Sequence, residues 1–215
     1  MSFHKLIPLL ITALLGYVFG SLKTMIIASH YIFHADIMRI GKRNAWISNF
    51  RRKYGIPGFL KLLAVEVIKD ALPIITGGIL MGSENRILGY AFAGFCVTLG
   101  SLFPVFNRFR GNHAIVPIVL TALFMRVPLG LTVLAIAVIL IWTSKYLSLS
   151  AVISAAVLFG GAVMSLEGAM ITQVCAVLAA FVLVKHIPAL LRISKGRETK
   201  LNFEEDITYK FDEDF

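Results

Sequence analysis

Stretches of apolar residues recur along this chain at about the length a bilayer demands, and no other feature restricts the possible folds so severely. They run over residues 6–33, 57–82, 86–106, 114–125, 128–143, 148–164 and 168–187. A helix needs about 20 predominantly apolar residues to cross a hydrocarbon core of ~30 Å. In lipid every backbone polar group must be satisfied within the structure, so continuous apolar runs of this length read as helices. The expected fold is therefore all-α, a polytopic membrane bundle of about seven transmembrane helices. With 58% hydrophobic and only 15% charged residues, an ordinary soluble domain is excluded. Segment 114–125 has room for only ~18 Å of helix at the standard rise, which makes it a short or re-entrant element. The opening MSFHKLIPLLITALLGYVFGS has the layout of a secretory signal without a small-residue cleavage site, and reads as the first span.

A formal net charge of +9 raises nucleic acid as a partner. The basic residues nevertheless sit in short segments between apolar runs, where they act as topology signals, so no nucleic acid is expected. Fourteen Lys and Arg fall in loops 34–56 and 107–113, at Lys145 and in 185–200, against three at Lys5, Arg86 and Arg126. This bias places those loops and the C-terminus in the cytoplasm and the N-terminus outside, in a multi-pass protein of the cell (inner) membrane. Residues 1–200 form the bundle, and 201–215 form an acidic cytoplasmic tail with six acids and one lysine. Cys96 and Cys175 lie in apolar segments without metal-ligand spacing, so neither a metal nor a cofactor is expected.

Three segments on the basic face are candidates for chemistry: DIMRIGKRNAWISNFRRKYG at 36–55, GSLFPVFNRFRGNHAIVP at 100–117 and KHIPALLRISKGRETK at 185–200. Each joins cations to glycine or small amides. Guanidinium and ammonium groups supply charge to an anion, and glycine lets backbone N–H groups approach it. For any one loop, orientation by positive charge is the simpler account. The amides, hydroxyls and histidines that accompany the charge are not needed for orientation. Within the second span, Glu66, Lys69 and Asp70 are spaced so that Glu66 neighbours both others on one helical face, and an ion pair bracing the bundle is the expected role. The GYVFG spacing at 16–20 fits close helix packing, within the bundle or between copies, so no oligomeric state is specified.

In order along nearly its whole length, the chain resembles the PlsY family of membrane acyl-phosphate:glycerol-3-phosphate acyltransferases. GSLKT corresponds to the family's Gly-Ser-x-Pro-Thr turn, DIMRIGKRNAWISNFRR to D-I-R-x-x-G-S-G-N-x-G-A-T-N-x-x-R, and EVIKDALP to D-x-x-K-G-A-L-P. GSLFPVFNRFRGNHAIVP corresponds to G-H-x-F-P-V-F-x-x-F-K-G-G-K-G-V-A-T, KYLSLSA to R-Y-x-S-L-x-S, and HIPALLRISKGRE to H-x-x-N-I-x-R-x-x-x-G-x-E. The resemblance implies a seven-helix bundle with its active site at the cytoplasmic face and no metal requirement. It implies transfer of an acyl group from acyl phosphate to the sn-1 hydroxyl of glycerol 3-phosphate, or to a related phosphorylated acceptor, among membrane lipids.

Carried over position by position, the resemblance implies catalytic roles for His186, Ser48 and Asn49. It implies substrate binding by Arg52, Asn44, Arg110, Gly111, Ser148, Ser150 and Glu198, and Lys42 and His113, at substituted positions of the same motifs, are further substrate-binding candidates. Departures are equally specific. Lys42 and Arg43 replace a Ser-Gly pair, Ser101 replaces a histidine and His113 the loop lysine, Asn112 and Ala114 replace glycines, and Ala189 replaces an asparagine. Histidine at 113 is mostly neutral near pH 7, whereas lysine is charged. An active but divergent acyltransferase is the leading reading, ahead of an inactive homologue that binds a lipid or a partner enzyme. A transporter ranks last, because no inverted repeat is visible.

Overall fold

The computed structural model describes residues 3–24, 46–109, 111–165, 167–198, 200 and 201, without the side chains of 3–5, 46–54 and 107. They form seven α-helices: α1 (Phe3–Ser21), α2 (Trp46–Leu80), α3 (Arg86–Leu102), α4 (Ile115–Met125), α5 (Val127–Ser144), α6 (Leu147–Met164) and α7 (Ala169–Ser194), with a 3-10 turn at Val105–Asn107. The expected bundle is present. α5, α6 and α7 are each long and apolar enough to cross a membrane. Leu131, Val138, Trp142 and Val184 stand exposed on α5 and α7. Such outward apolar surface is what a lipid solvent accepts and water does not. α4 has 11 residues, about 16 Å of rise, and is the short element anticipated.

Two boundaries differ from the sequence reading. α2 begins at Trp46 rather than near 57, and it bends at Gly55, where φ is 66° and ψ is −168°. That backbone region is open almost solely to glycine, which is why the bend falls there. Three cations in a row, Arg51, Arg52 and Lys53, had marked residues 46–54 as loop, although Trp46, Phe50 and Tyr54 are spaced four apart, a repeat that fits one face of a helix. α1 ends at Ser21 instead of continuing through the apolar residues beyond it.

α3 is the hub, packed against α1, α2, α4 and α7. Its inward face is made of small residues, including Ala91, Ala93, Gly94, Val97 and Gly100. Without a hydrophobic drive between helices in lipid, close backbone approach is the main source of packing energy. At the α1–α3 crossing, a Cβ on Gly20 would overlap the Val97 carbonyl group, and one on Gly16 would meet the Cys96 Cβ. Both glycines of GYVFG are thus used inside the bundle. Leu102, Ile118, Leu158, Leu178 and Val182 form the core beside the crossing of α3, α4, α6 and α7. At the opposite end, Arg126 ahead of α5 pairs with Glu167 ahead of α7. Among the described residues, the first end, where α3 finishes and α4 begins, carries Arg108, Lys185 and Arg192.

Candidate active site

At that first end the chain leaves α3 through Phe103 and Pro104 and reaches α4 by a loop that is held at several points. Tyr17 Oη donates to the Phe103 carbonyl at 2.9 Å. The Phe109 N–H bonds the Pro104 carbonyl at 3.0 Å, and the Asn112 N–H bonds the Ser101 carbonyl at 3.0 Å. Arg108, Phe109 and Ala114 all take left-handed backbone conformations, with φ of 51°, 59° and 55°. A non-glycine residue there costs about 1–2 kcal/mol. Of the two positions where the resembled motif has glycine, Asn112 and Ala114, it is Ala114 that keeps a backbone conformation suited to glycine. Asn112 offsets part of that cost, because its Oδ1 accepts the Ala114 N–H at 2.9 Å.

The loop closes one side of a cavity of about 280 Å³ lined by Gly111, Asn112, His113, Ser148, Lys185, His186, Pro188, Ala189, Arg192 and Glu198. Gly111 is pressed onto the end of α3, where a Cβ would overlap the carbonyls of Ser101 and Leu102. The His113 and His186 rings stack with centroids 5.5 Å apart and planes 27° apart. His186, on α7, is buried. Its Nδ1 lies 2.8 Å from the Val182 carbonyl. A carbonyl can only accept, so Nδ1 carries the proton and Nε2 keeps its lone pair in the neutral ring. Arg192 Nε donates to Glu198 Oε2 at 2.5 Å. That pairing depends on the chain reversing after α7, where the Arg197 N–H bonds the Arg192 carbonyl at 2.8 Å. Leu201 N–H then bonds the Lys145 carbonyl at 2.8 Å, tying this return to the turn between α5 and α6.

Five of the residues selected from sequence therefore meet in one cavity: Gly111, His113, Ser148, His186 and Glu198. Ser150 does not join them. It is fully buried, and its Oγ donates to the Ala137 carbonyl at 3.1 Å, tying α6 to α5. Lys42, Asn44 and Arg110 lie outside the described residues, while Ser48, Asn49 and Arg52 belong to the first part of α2 without described side chains. Lys185 and Arg192 also line the cavity; both lie in the basic segment 185–200 read as a candidate for anion binding, although neither was singled out as a site residue. The signal for Arg192 was its fixed place six residues after His186. For Lys185, whose Nζ sits 4.6 Å from the centre of the Phe103 ring, no comparable signal exists. Among the described residues no three His, Cys, Asp or Glu side chains stand together as metal ligands.

Burial, with the His186 ring second, pulls the His113 imidazole from its usual 6.5 down to about 4. The unfolded chain therefore takes up a proton at 113 between pH 6.5 and 4 that the native state refuses. Native stability is complete above that window and falls as pH drops through it. Melting in detergent, followed by tryptophan fluorescence, is expected to shift down between pH 7 and pH 5. His113→Gln should shrink that shift, and an unchanged shift in the variant would show that other groups cause it.

The family model described as glycerol-3-phosphate acyltransferase matches residues 10–196. A glycerol-3-phosphate acyltransferase of Thermoanaerobacter sp. (strain X514) is 28% identical over 197 residues, covering 92% of this chain and 98% of the relative. One from Cereibacter sphaeroides is 30% identical over 203 residues, covering 91% of each chain. The crystal structure of PlsY, an integral membrane glycerol 3-phosphate acyltransferase, in its glycerol 3-phosphate form superposes with a TM-score of 0.73 at 17% identity, over 90% of this chain and 96% of that one. Its lysophosphatidic acid form gives 0.74, with 90% and 95% covered. At that identity the structural likeness establishes the fold.

Proposed function

This chain belongs to the glycerol-3-phosphate acyltransferase family, and from that premise we propose that it transfers an acyl group from an acyl phosphate to a primary hydroxyl of glycerol 3-phosphate or a closely related phosphorylated acceptor, in the membrane. The observation that carries the reading is the convergence of Gly111, His113, Ser148, His186 and Glu198, distant in sequence, on one cavity. The hydroxyl oxygen attacks the acyl carbonyl, the carbon–oxygen bond to phosphate breaks, and inorganic phosphate leaves with the electron pair. His186 Nε2 takes the hydroxyl proton, as its tautomer permits.

Two phosphate-bearing substrates need cations, and Lys185 and Arg192 supply them, with Glu198 holding the Arg192 guanidinium in place. Ser148 and the loop at Gly111 offer hydrogen-bond donors to the same substrates. Lys42, Asn44, Ser48, Asn49, Arg52 and Arg110 complete the site in this reading, with Ser48 and Asn49 beside the reacting carbonyl and Arg52 on a phosphate. The basic end faces the cytoplasm, since Lys145, Lys185, Arg192, Lys195 and Arg197 gather there.

Purified protein in lipid, given palmitoyl phosphate and labelled glycerol 3-phosphate, is expected to form labelled lysophosphatidic acid. A folded protein that forms none would overturn the reading and leave a binding role in its place.

A further inference from the structure

The segment joining α3 to α4 is tied to α2 by a chain of polar contacts that the reaction itself does not use. Lys69 Nζ, on α2, donates at 3.2 Å to the carbonyl of Leu22, the residue after α1. The same nitrogen lies 3.1 Å from Asp70 Oδ1 and 3.4 Å from Glu66 Oε1. Glu66 Oε1 in turn accepts from Asn112 Nδ2 at 3.4 Å. Asn112 Oδ1 accepts the Ala114 N–H at 2.9 Å, at the residue that caps α4. His113, stacked on His186, lies in the chain between Asn112 and the Ala114 that it holds.

We propose that Glu66 and Asn112 form a latch that positions Gly111–Ala114 against the cavity, making both of them positioning residues for acyl transfer. The functional half of this inference rests on the activity proposed above. Two features of this sequence build the contact together. Where the resembled motifs carry aspartate and glycine, this chain has a carboxylate one methylene longer and an amide that glycine lacks. The amide then does by hydrogen bonding what the lost glycine freedom did by backbone choice: it holds Ala114 in a left-handed conformation. Lys69 directs the Glu66 carboxylate, because Asp70 and the Leu22 carbonyl hold the ammonium from the other side.

The pair can be tested by exchanging which partner carries the amide. Asn112→Asp keeps an oxygen for the Ala114 N–H but sets a carboxylate against Glu66. It is expected to lower kcat/KM for glycerol 3-phosphate about tenfold, the loss of one charge-assisted bond. In the double variant Glu66→Gln/Asn112→Asp the donor lies on the other side, and activity should return to within about threefold of the starting protein.

Trypsin cleavage after Arg108, which is exposed, reads the same loop without needing turnover. Cleavage in detergent should quicken in Asn112→Asp and slow again in the double variant. If the double variant is as impaired and as readily cut as Asn112→Asp, the latch is refuted. If no variant turns over and the trypsin pattern still follows the exchange, the latch stands and the acyltransferase reading fails.

Discussion

Alanine in place of His186 is expected to lower kcat for acyl transfer by roughly a hundredfold or more, the usual contribution of a positioned general base being about 10²–10⁴. The ring is fixed on both faces of the problem: Nδ1 is committed to the Val182 carbonyl at 2.8 Å, and the plane is stacked against His113. One nitrogen is therefore committed to the backbone, and the other keeps its lone pair for a proton. His186→Asn separates them, because the asparagine amide can replace the Nδ1–H donor to Val182 while providing no base. The asparagine variant should melt close to the starting protein and yet be as slow as the alanine variant. Substrate affinity should change far less than kcat in both, since Lys185 and Arg192 remain to hold phosphate. Turnover within about tenfold of the starting protein in the asparagine variant would remove His186 from proton transfer.

The expected loss depends on a geometry that sequence reading recovered unevenly. Spans were legible because hydropathy alone sets where a chain can stay in lipid, and the short α4 was legible because its apolar run stops at Arg126. The first part of α2 was hidden by its own charge, since cations at an interface and cations in a loop leave the same composition. Ser148 and Ser150 were chosen together from one motif, although residues two apart on a helix face different ways. Ser148 accordingly lines the cavity and Ser150 bonds the Ala137 carbonyl. That distinction could have been drawn from periodicity. The contact between Glu66 and Asn112 could not, because it joins residues 46 apart in the chain. No local pattern encodes such a pair, and only the packing of α2 beside α3 and α4 brings it about.

Gly111 shows how far the loop's chemistry depends on that packing, and Gly111→Ala is expected to cost about a hundredfold in kcat/KM with little loss of bundle stability. The added methyl would overlap the Ser101 and Leu102 carbonyls, which belong to the last turn of α3 and cannot retreat without breaking helix hydrogen bonds. The loop must move instead, and the Asn112 N–H would leave the Ser101 carbonyl it now meets at 3.0 Å. A displacement of about 1 Å in groups that orient substrates is enough for a loss of roughly 10². Stability should hold, because the packed core formed by Leu102, Ile118, Leu158 and Val182 is untouched. Gly160→Ala is the matched control: a Cβ there meets nothing within 4 Å, and alanine in a helix is favoured over glycine by about 0.5–1 kcal/mol. Activity in that control should be unchanged and its melting temperature equal or slightly raised. If Gly111→Ala also retains activity, the loop tolerates displacement, and neither its backbone path nor the residues that fasten it can be setting the geometry of the transfer.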